Sequence, residues 1–212
     1  MIKLVEIISS LERKDGAEVL FASIVNFIKN NKDIDLHVIV LYEGINDSFL
    51  EQLSNVKVCV VGKKAGIDLR CAKKLKKIIS DINPDIIHSH LSCINTYYLA
   101  FGKRKYNWTV VHTLHNIPIK ESNLTSRLLI KKLLLRKTLI LVGISDSISK
   151  LATNYYSVDT VKTIYNGVEL PIIDVAKELK RKKYDFVCVA RFVEQKKSPT
   201  FNRCLSKSLQ QV

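Results

Sequence analysis

Four of the five histidines lie in two short segments, each at the end of an apolar run. One segment runs from Asp85 to His90 (DIIHSH) and the other from Val110 to Asn116 (VVHTLHN). The first pair of histidines could ligate zinc, but no third ligand stands at a metal-site spacing, so no metal site is predicted. The histidines of the second segment could orient a hydroxyl or a phosphate, or could belong to a capping or turn-forming cluster.

A third segment, Ser9 to Glu18, leads into a predicted helix through the residues KDGAE. Gly16 would let a ligand approach the backbone, and the unpaired N–H groups of a helix N-terminus attract a phosphate. The alternative is an ordinary turn between a strand and a helix, capped by Asp15. A complete Gly-x-Gly-x-x-Gly motif is absent, so the loop by itself favours the turn.

A fourth set of residues follows later strands. Asn166 and Gly167 are typical of a tight turn with positive φ. Arg191 and Lys196 come after a further apolar run and are suited to an anionic ligand. The alternative interpretation is a surface loop.

The elements that would position these residues alternate between strands and helices, which is typical of a parallel sheet covered by helices. The sequence therefore predicts an α/β fold, a Rossmann-like parallel sheet flanked by helices. In such sheets ligands bind beyond the carboxyl ends of the strands, where the four segments fall. The predicted strands are Lys3–Ile8, Leu36–Leu41, Val56–Val61, Asp85–His88, Thr109–Thr113, Thr138–Val142 and Val161–Tyr165. The predicted helices are Ala17–Asn30, Leu69–Ile82, Leu91–Lys103, Leu124–Lys137 and Asp146–Tyr155.

The chain is predicted to divide after this sheet. Residues 1–168 would form the Rossmann-like domain, and residues 169–183, which end in a charged run, would form a linker. A fresh apolar run then starts residues 184–212, which are fewer than the ~50 that an independent domain usually needs. We therefore expect 184–212 to be the beginning of a truncated second domain.

The composition favours an anionic partner, since the 212 residues include 34 Lys and Arg against 20 Asp and Glu, for a formal net charge of +14. Nucleic acid, a membrane surface or a phosphorylated small molecule would satisfy that charge. No nucleic-acid-binding motif is recognisable, so no nucleic-acid partner is expected. Five scattered cysteines without a Cys-x-x-Cys pair, and no signal peptide or long apolar stretch, predict a cytoplasmic protein.

The set of segments resembles family 4 glycosyltransferases, which have the two-domain GT-B fold. Each piece is short, but their order and spacing extend across nearly the whole chain. The matching pieces are GAE from Gly16, DIIHSH from Asp85, TLH from Thr113, GISDS from Gly143, IYNGV from Ile164, and Arg191 followed five residues later by Lys196.

The resemblance implies a metal-independent, retaining transfer of a sugar from a nucleotide-sugar donor to a glycan or lipid-linked acceptor, in cell-surface polysaccharide synthesis. It implies that Asp15 and Gly16 belong to the substrate-binding site, with Gly16 beside the donor diphosphate, and that His115 contacts the transferred sugar as the catalytic residue. Asn166 would contribute to substrate binding. Arg191 and Lys196 would neutralise the leaving group, whose negative charge grows as the sugar–phosphate bond breaks. No cofactor is implied.

Two departures from the family pattern bear on activity. Asp15 replaces the first glycine of a common Gly-Gly pair, and the two glutamates that hold the donor in the family do not occur after Lys196. A catalytically inactive remnant of such an enzyme is therefore the alternative interpretation.

The helix predicted at Leu69–Ile82 has a strongly basic face. At ~100° per residue its charged residues share one arc and its apolar residues lie mainly opposite. This face could contact anionic lipid at the inner side of a membrane, or could simply be solvated. The basic residues are Arg70, Lys73, Lys74, Lys76 and Lys77.

Overall fold

The computed structural model describes residues 1–101 and 106–167. The predicted linker, the predicted second domain, Arg191 and Lys196 lie outside the described residues. Within the described ranges the chain forms one parallel sheet of seven strands with helices packed against it, which confirms the predicted fold class. The strands are β1 (Ile2–Ile8), β2 (Ile34–Val40), β3 (Val58–Val60), β4 (Ile86–His90), β5 (Thr109–Leu114), β6 (Ile140–Gly143) and β7 (Lys162–Thr163).

The helices are found where the sequence predicts them, with two additions. They are α1 (Gly16–Ile28), α2 (Asp47–Gln52), α3 (Leu69–Ile82), α4 (Cys93–Phe101), α5 (Pro118–Glu121), α6 (Leu124–Leu135) and α7 (Asp146–Tyr156). The sequence analysis did not predict α2 and α5. Both are at most six residues long, too short for a 3.6-residue apolar period to show.

The strand order is β3-β2-β1-β4-β5-β6-β7. The chain therefore builds outwards from β1 in one direction and then returns to build outwards from β4 in the other. The point where the order reverses lies between β1 and β4. The loops that follow the two strands at such a point run in opposite directions. A crevice is therefore left between them, beyond the carboxyl ends of the strands.

Each face of the sheet carries its own apolar cluster, because successive side chains of a strand point to opposite faces. On one face Ile8 and Val40 pack with Phe21 of α1 and Phe49 of α2. On the other face the buried core includes strand residues Val5, Ile7, Ile39 and Ile87 with Leu75 and Ile79 of α3, and it extends to Ile130, Leu133 and Tyr156 of α6 and α7. Together the two clusters fix which side chains of β1, β4 and β5 face which helices.

Helix α3 begins and ends at the predicted residues. Asp68 accepts a hydrogen bond from the backbone N–H of Cys71 at 2.9 Å and so caps the N-terminus. Asn83 takes a left-handed conformation, with φ of 49°, directly before Pro84. The apolar side buries Leu75 and Ile79, whereas the basic residues named above are exposed. Among the described residues, no helix is long and apolar enough to cross a bilayer.

Gly143, at the end of β6, has a packing role. A Cβ atom there would clash with the Ser149 side chain of α7 and would lie 2.9 Å from the Ser149 backbone nitrogen. Only a glycine lets α7 approach β6 this closely. This explains the glycine of the GISDS segment without reference to a ligand.

Candidate functional site

A buried acid lies at the centre of the sheet, on β1. Glu6 is paired in register with His88 of the neighbouring strand β4, so the two side chains share a face. His90, two residues further along β4, lies on that face too. The Glu6 side chain is only 2% exposed and the His90 side chain is fully buried.

Glu6 joins the two histidines of β4 through both of its carboxylate oxygens. Oε1 lies 3.0 Å from Nδ1 of His88, and Oε2 lies 3.1 Å from Nε2 of His90. Burial alone would raise the pKa of Glu6, but hydrogen bonds and electrostatic attraction from His88 and His90 outweigh it and hold this pKa below its ordinary value. The carboxylate is therefore ionised at neutral pH and acts only as an acceptor.

The network continues from β4 to β5 at two points. Nε2 of His88 lies 2.8 Å from Oγ1 of Thr113, and Nδ1 of His90 lies 2.9 Å from Nε2 of His115. The ring of His90 stacks on that of His115 at a centroid distance of 5.1 Å, and Phe21 of α1 packs edge-on against His90. His115 is thus connected to the buried acid of β1 across three strands.

The sequence analysis found no third metal ligand beside the β4 histidines, and the structure supplies one from another strand. Potential ligand atoms of Glu6, His88 and His90 all lie within 4.8 Å of one another. In the structure these atoms are hydrogen-bonded to one another, and the remaining ring nitrogens bond Thr113 and His115. The arrangement is complete as a hydrogen-bond network.

The loop that carries His115 is held by a second buried acid, Glu121 of α5. Its Oε1 accepts a hydrogen bond from the backbone N–H of His115 at 2.6 Å. Burial raises the pKa of Glu121 to about 7, against the opposing effect of backbone hydrogen bonds from His115 and Asn116. Its Oε2 is buried and has no partner among the described residues.

His115 itself is half-buried at the carboxyl end of β5. Burial, followed by repulsion from His90 and His88, lowers the pKa of its imidazole to about 3. The ring is therefore neutral at physiological pH. A neutral ring of this kind donates at one nitrogen and accepts at the other.

The His112 side chain points to the opposite face of the sheet from the network of His115 and is buried. Its Nδ1 lies 2.8 Å from Oγ of Ser89 and 3.0 Å from the carbonyl oxygen of Ser89. A carbonyl oxygen only accepts, so Nδ1 of His112 carries the hydrogen. Burial lowers the pKa of this histidine to about 3. Of the two histidines in the VVHTLHN segment, His112 is thus structural and His115 reaches the edge of the sheet.

Asp15 and Gly16 lie at the carboxyl end of β1, where the sequence placed them. Glu18 accepts hydrogen bonds from the backbone N–H groups of Arg13 and Asp15, at 2.9 and 3.4 Å, and so fastens the loop to α1. Among residues 1–101 and 106–167, a Cβ atom built on Gly16 would meet no atom within 4 Å. The space beside this glycine is open, as the approach of a ligand to the backbone requires.

Asn166 is exposed beyond β7 and does not join this cluster. Four strand steps separate β7 from β1, roughly 19 Å at the usual strand spacing. Two steps separate β1 from β5, so Gly16 and His115 follow strands about 10 Å apart. The described structure thus brings Asp15, Gly16 and His115 to one edge and leaves Asn166 towards its far end.

A polar cavity of about 460 Å³ opens at the same edge, beside the first loop. Acids and cations both line it, and Lys63 is held there by hydrogen bonds to the backbone oxygens of Lys64 and Gly66 at 2.9 and 2.7 Å. The lining residues are Ser10, Glu12, Arg13, Glu18, Tyr42, Glu43 and Lys63.

Residues 15–171 match the sequence profile described as Glycosyltransferase Family 4, which covers well over half of the chain. The chain belongs to glycosyltransferase family 4. Comparison with curated proteins gives no significant sequence match.

Solved structures place the same sheet in other glycosyltransferases. HepE from Anabaena, solved with UDP and glucose, shares 18% identity and superposes with a TM-score of 0.61 over 80% of this chain and 45% of its own. A glycosyltransferase from Rickettsia africae gives 16% identity and the same TM-score over 79% and 43%. The lipopolysaccharide outer core galactosyltransferase WaaB gives 12% and 0.61 over 81% and 48%. The family 4 chain therefore spans less than half the length of these structures, and the likeness shows a common fold.

Sequence reasoning missed two acids of this candidate site, Glu6 and Glu121. Glu6 did carry a signal, because it is the one acid of β1 and stands between the apolar pairs Leu4-Val5 and Ile7-Ile8. A lone acid in a buried parallel strand needs a partner, since burying an unpaired charge is costly. Glu121 carried no comparable signal, because it lies in a four-residue helix outside any periodic pattern.

Proposed function

We propose that this chain forms the acceptor-side half of a glycosyltransferase that moves a sugar from a nucleotide-sugar donor to a glycan or lipid-linked acceptor. The observation that carries the proposal is His115, a neutral and half-buried imidazole fixed at the carboxyl edge of the sheet, two strands from the open space at Gly16. Family membership indicates the type of reaction, and this geometry supports the proposal that it takes place at this edge of the sheet.

The donor is proposed to be a uridine diphosphate sugar. HepE was solved with UDP and glucose, and an α-glucosyltransferase with a TM-score of 0.53 to this chain was solved with UDP. Gly16 and the N-terminus of α1 would face the donor diphosphate, because the positive end of a helix dipole attracts an anion. Arg191 and Lys196 would neutralise the leaving diphosphate, and Asn166 would contact substrate at the other end of the edge.

The acceptor is proposed to occupy the cavity beside the first loop. Glu12 and Glu43 could accept hydrogen bonds from sugar hydroxyls, and Arg13 could donate to them. WaaB, which acts in the lipopolysaccharide outer core, shares the fold. We propose a role in cell-surface polysaccharide synthesis on that basis.

The catalytic role of His115 would be to bind the transferred sugar rather than to carry a proton. A ring with a pKa of about 3 is a poor general base near neutral pH, because its conjugate acid is too strong. A fixed hydrogen bond to a hydroxyl of the sugar would instead orient the donor for transfer. The reaction is proposed to retain the anomeric configuration and to need no metal ion.

The test is transfer from radiolabelled UDP-sugars to glycan and lipid-linked acceptors by the full chain, with and without EDTA. We expect transfer that EDTA leaves unchanged and a product of retained configuration by proton NMR. His115→Ala should abolish most transfer, and His37→Gln is the matched control because His37 lies on β2 and pairs with Asp35. Absence of transfer with every donor, from a folded chain, would contradict the proposal and support an inactive remnant.

A peripheral contact with anionic membrane is proposed through the basic face of α3. Arg70, Lys73 and Lys77 are exposed there. Ile67, just before the helix, and Leu69, its first residue, are 83% and 68% exposed. Basic residues attract anionic headgroups while exposed apolar side chains enter the interface.

Sedimentation with vesicles that contain phosphatidylglycerol tests this contact. Replacing Lys73, Lys76 and Lys77 by Gln should release the protein, at about 1 kcal/mol for each charge. The charge-matched control replaces Lys132, Lys137 and Lys150, outside α3. Equal binding by both triple variants would argue against α3 as the contact surface.

A further inference from the structure

The hydrogen-bond network beneath His115 begins at the carboxylate of Glu6, a group that accepts hydrogen bonds and cannot donate them. We infer that Glu6 is a positioning residue: through His90 it places a hydrogen on Nε2 of His115 and leaves Nδ1 of His115 as a hydrogen-bond acceptor for a hydroxyl of the bound sugar. The sugar part of this inference rests on the proposed function. The assignment of the hydrogens rests on the geometry.

The first step is the bond between Glu6 and His90. An ionised carboxylate accepts hydrogen bonds and donates none. Oε2 of Glu6 lies 3.1 Å from Nε2 of His90, so this nitrogen carries the hydrogen. His90 is fully buried, and burial lowers its pKa in spite of the raising effect of Glu6. The ring is neutral, and its other nitrogen, Nδ1, has a lone pair.

The second step is the bond between His90 and His115. Nδ1 of His90 lies 2.9 Å from Nε2 of His115. Because Nδ1 of His90 has a lone pair, Nε2 of His115 must carry the hydrogen of this bond. His115 is neutral as well, so its single ring hydrogen is used in this bond. Nδ1 of His115 has no hydrogen-bond partner in the ranges 1–101 and 106–167, and it remains able to accept from a ligand.

The backbone around His115 supports a fixed ring. Glu121 holds the His115 N–H at 2.6 Å, and His90 stacks on the imidazole. Leu91, directly after His90, has a φ of 56°, a strained value for a bulky residue. The chain tolerates this strain at the turn that ends β4, where His90 meets His115.

A carboxylate is needed for this arrangement, and a carboxamide of the same shape would not give it. The glutamine side chain has one oxygen that accepts and one nitrogen that donates. In Glu6→Gln one of the two β4 histidines must therefore accept, and the direction of the bonds towards His115 is no longer fixed. The volume of the residue at position 6 hardly changes, so packing with the neighbours is kept.

The wild-type protein gives the first test, without any variant. The full chain is labelled with nitrogen-15 histidine, and two-bond proton–nitrogen correlation spectra show which ring nitrogen of His115 carries hydrogen. Between about pH 6 and 8 we expect His115 in a single neutral form with hydrogen on Nε2. Hydrogen on Nδ1, an even mixture of the two forms, or a change in the His88 and His90 signals on adding EDTA would overturn the inference.

The second test compares Glu6→Gln with Ser89→Ala. Ser89 lies on the same strand as His90, but it bonds His112 on the opposite face. Glu6→Gln should convert His115 to a mixture of neutral forms, whereas Ser89→Ala should leave its spectrum unchanged. A single Nε2–H form of His115 in folded Glu6→Gln would overturn the role of Glu6.

Kinetics then separate this inference from the proposed function. If the chain transfers sugar, Glu6→Gln should lower kcat by about tenfold, the value of one hydrogen bond, with little change in acceptor KM. Unchanged kcat would overturn the positioning role. If the wild-type chain gives the expected spectrum but transfers no sugar, the proposed function is contradicted and the hydrogen assignment is kept.

Discussion

The two faces of β4 and β5 use histidine in different ways. On one face His90 and His115 belong to a network that starts at a buried carboxylate and ends at the edge of the sheet. On the other face His112 is buried, and its bonds within the described part of the chain go to the hydroxyl and carbonyl of Ser89. Two histidines of the same short segment, His112 and His115, thus have different surroundings. The difference is one of position: the hydrogen-bond network of His115 reaches the carboxyl edge of the sheet, and that of His112 does not.

The largest expected effect of a single substitution is on acid stability, at His112. Its pKa of about 3 lies below the ordinary value of ~6.5, so the unfolded chain binds more protons between these pH values and stability falls as the pH drops below ~6.5. We expect this group to account for about 5 kcal/mol of unfolding free energy lost by pH 3, a loss that His112→Gln lacks. Urea unfolding at several acidic pH values measures the difference. Parallel pH profiles of the two proteins would contradict it.

Glu121, beneath His115, should give the opposite pH dependence in a different window. Its folded pKa of about 7 lies above the ordinary value near 4.5, so the native state holds the extra proton and stability falls as the pH rises between these values. Relative to Glu121→Gln, the wild type should lose about 3 kcal/mol across that range. Thermal or urea unfolding from acidic to neutral pH tests this. A wild type that gains stability relative to the variant would reverse the assignment.

Activity should distinguish the two histidines of β5 directly. We expect His115→Gln to lower transfer by about 100-fold, as the loss of a fixed polar contact at a reacting sugar typically does. His112→Gln, measured where it remains folded, should transfer at nearly the wild-type rate. Comparable losses in both variants would mean that the two faces do not differ in function.

The smallest effect is expected when the hydroxyl group that bonds a histidine is removed, on either face of the sheet. Ser89→Ala and Thr113→Val each remove one hydrogen bond to a histidine, which costs about 1 kcal/mol. Only Thr113→Val should also alter the spectrum of His88. Urea unfolding gives the stability, and histidine spectra of the two variants show whether the faces are independent. An altered His88 signal in Ser89→Ala would show that they are coupled.

Much of the fold followed from local pattern. Helix α3 has the predicted bounds because Asp68, the apolar period and Asn83-Pro84 all act within a few residues. The strands were located to within a few residues, since each is a short apolar run between turns. Helix α5 was missed, although Pro118 stands at its start, because four residues show no period. Glu121, which fastens the His115 loop, was missed with it.

The sequence by itself determined the strands, the main helices and the places where polar residues follow strands, including Gly16 and His115. It did not determine that Glu6 meets His88, 82 residues away, or that Ser89 and His112 turn to the other face together. Those pairings depend on the order and register of β1, β4 and β5. That register is set when apolar surfaces distant in sequence are buried against one another, and no window of neighbouring residues contains it.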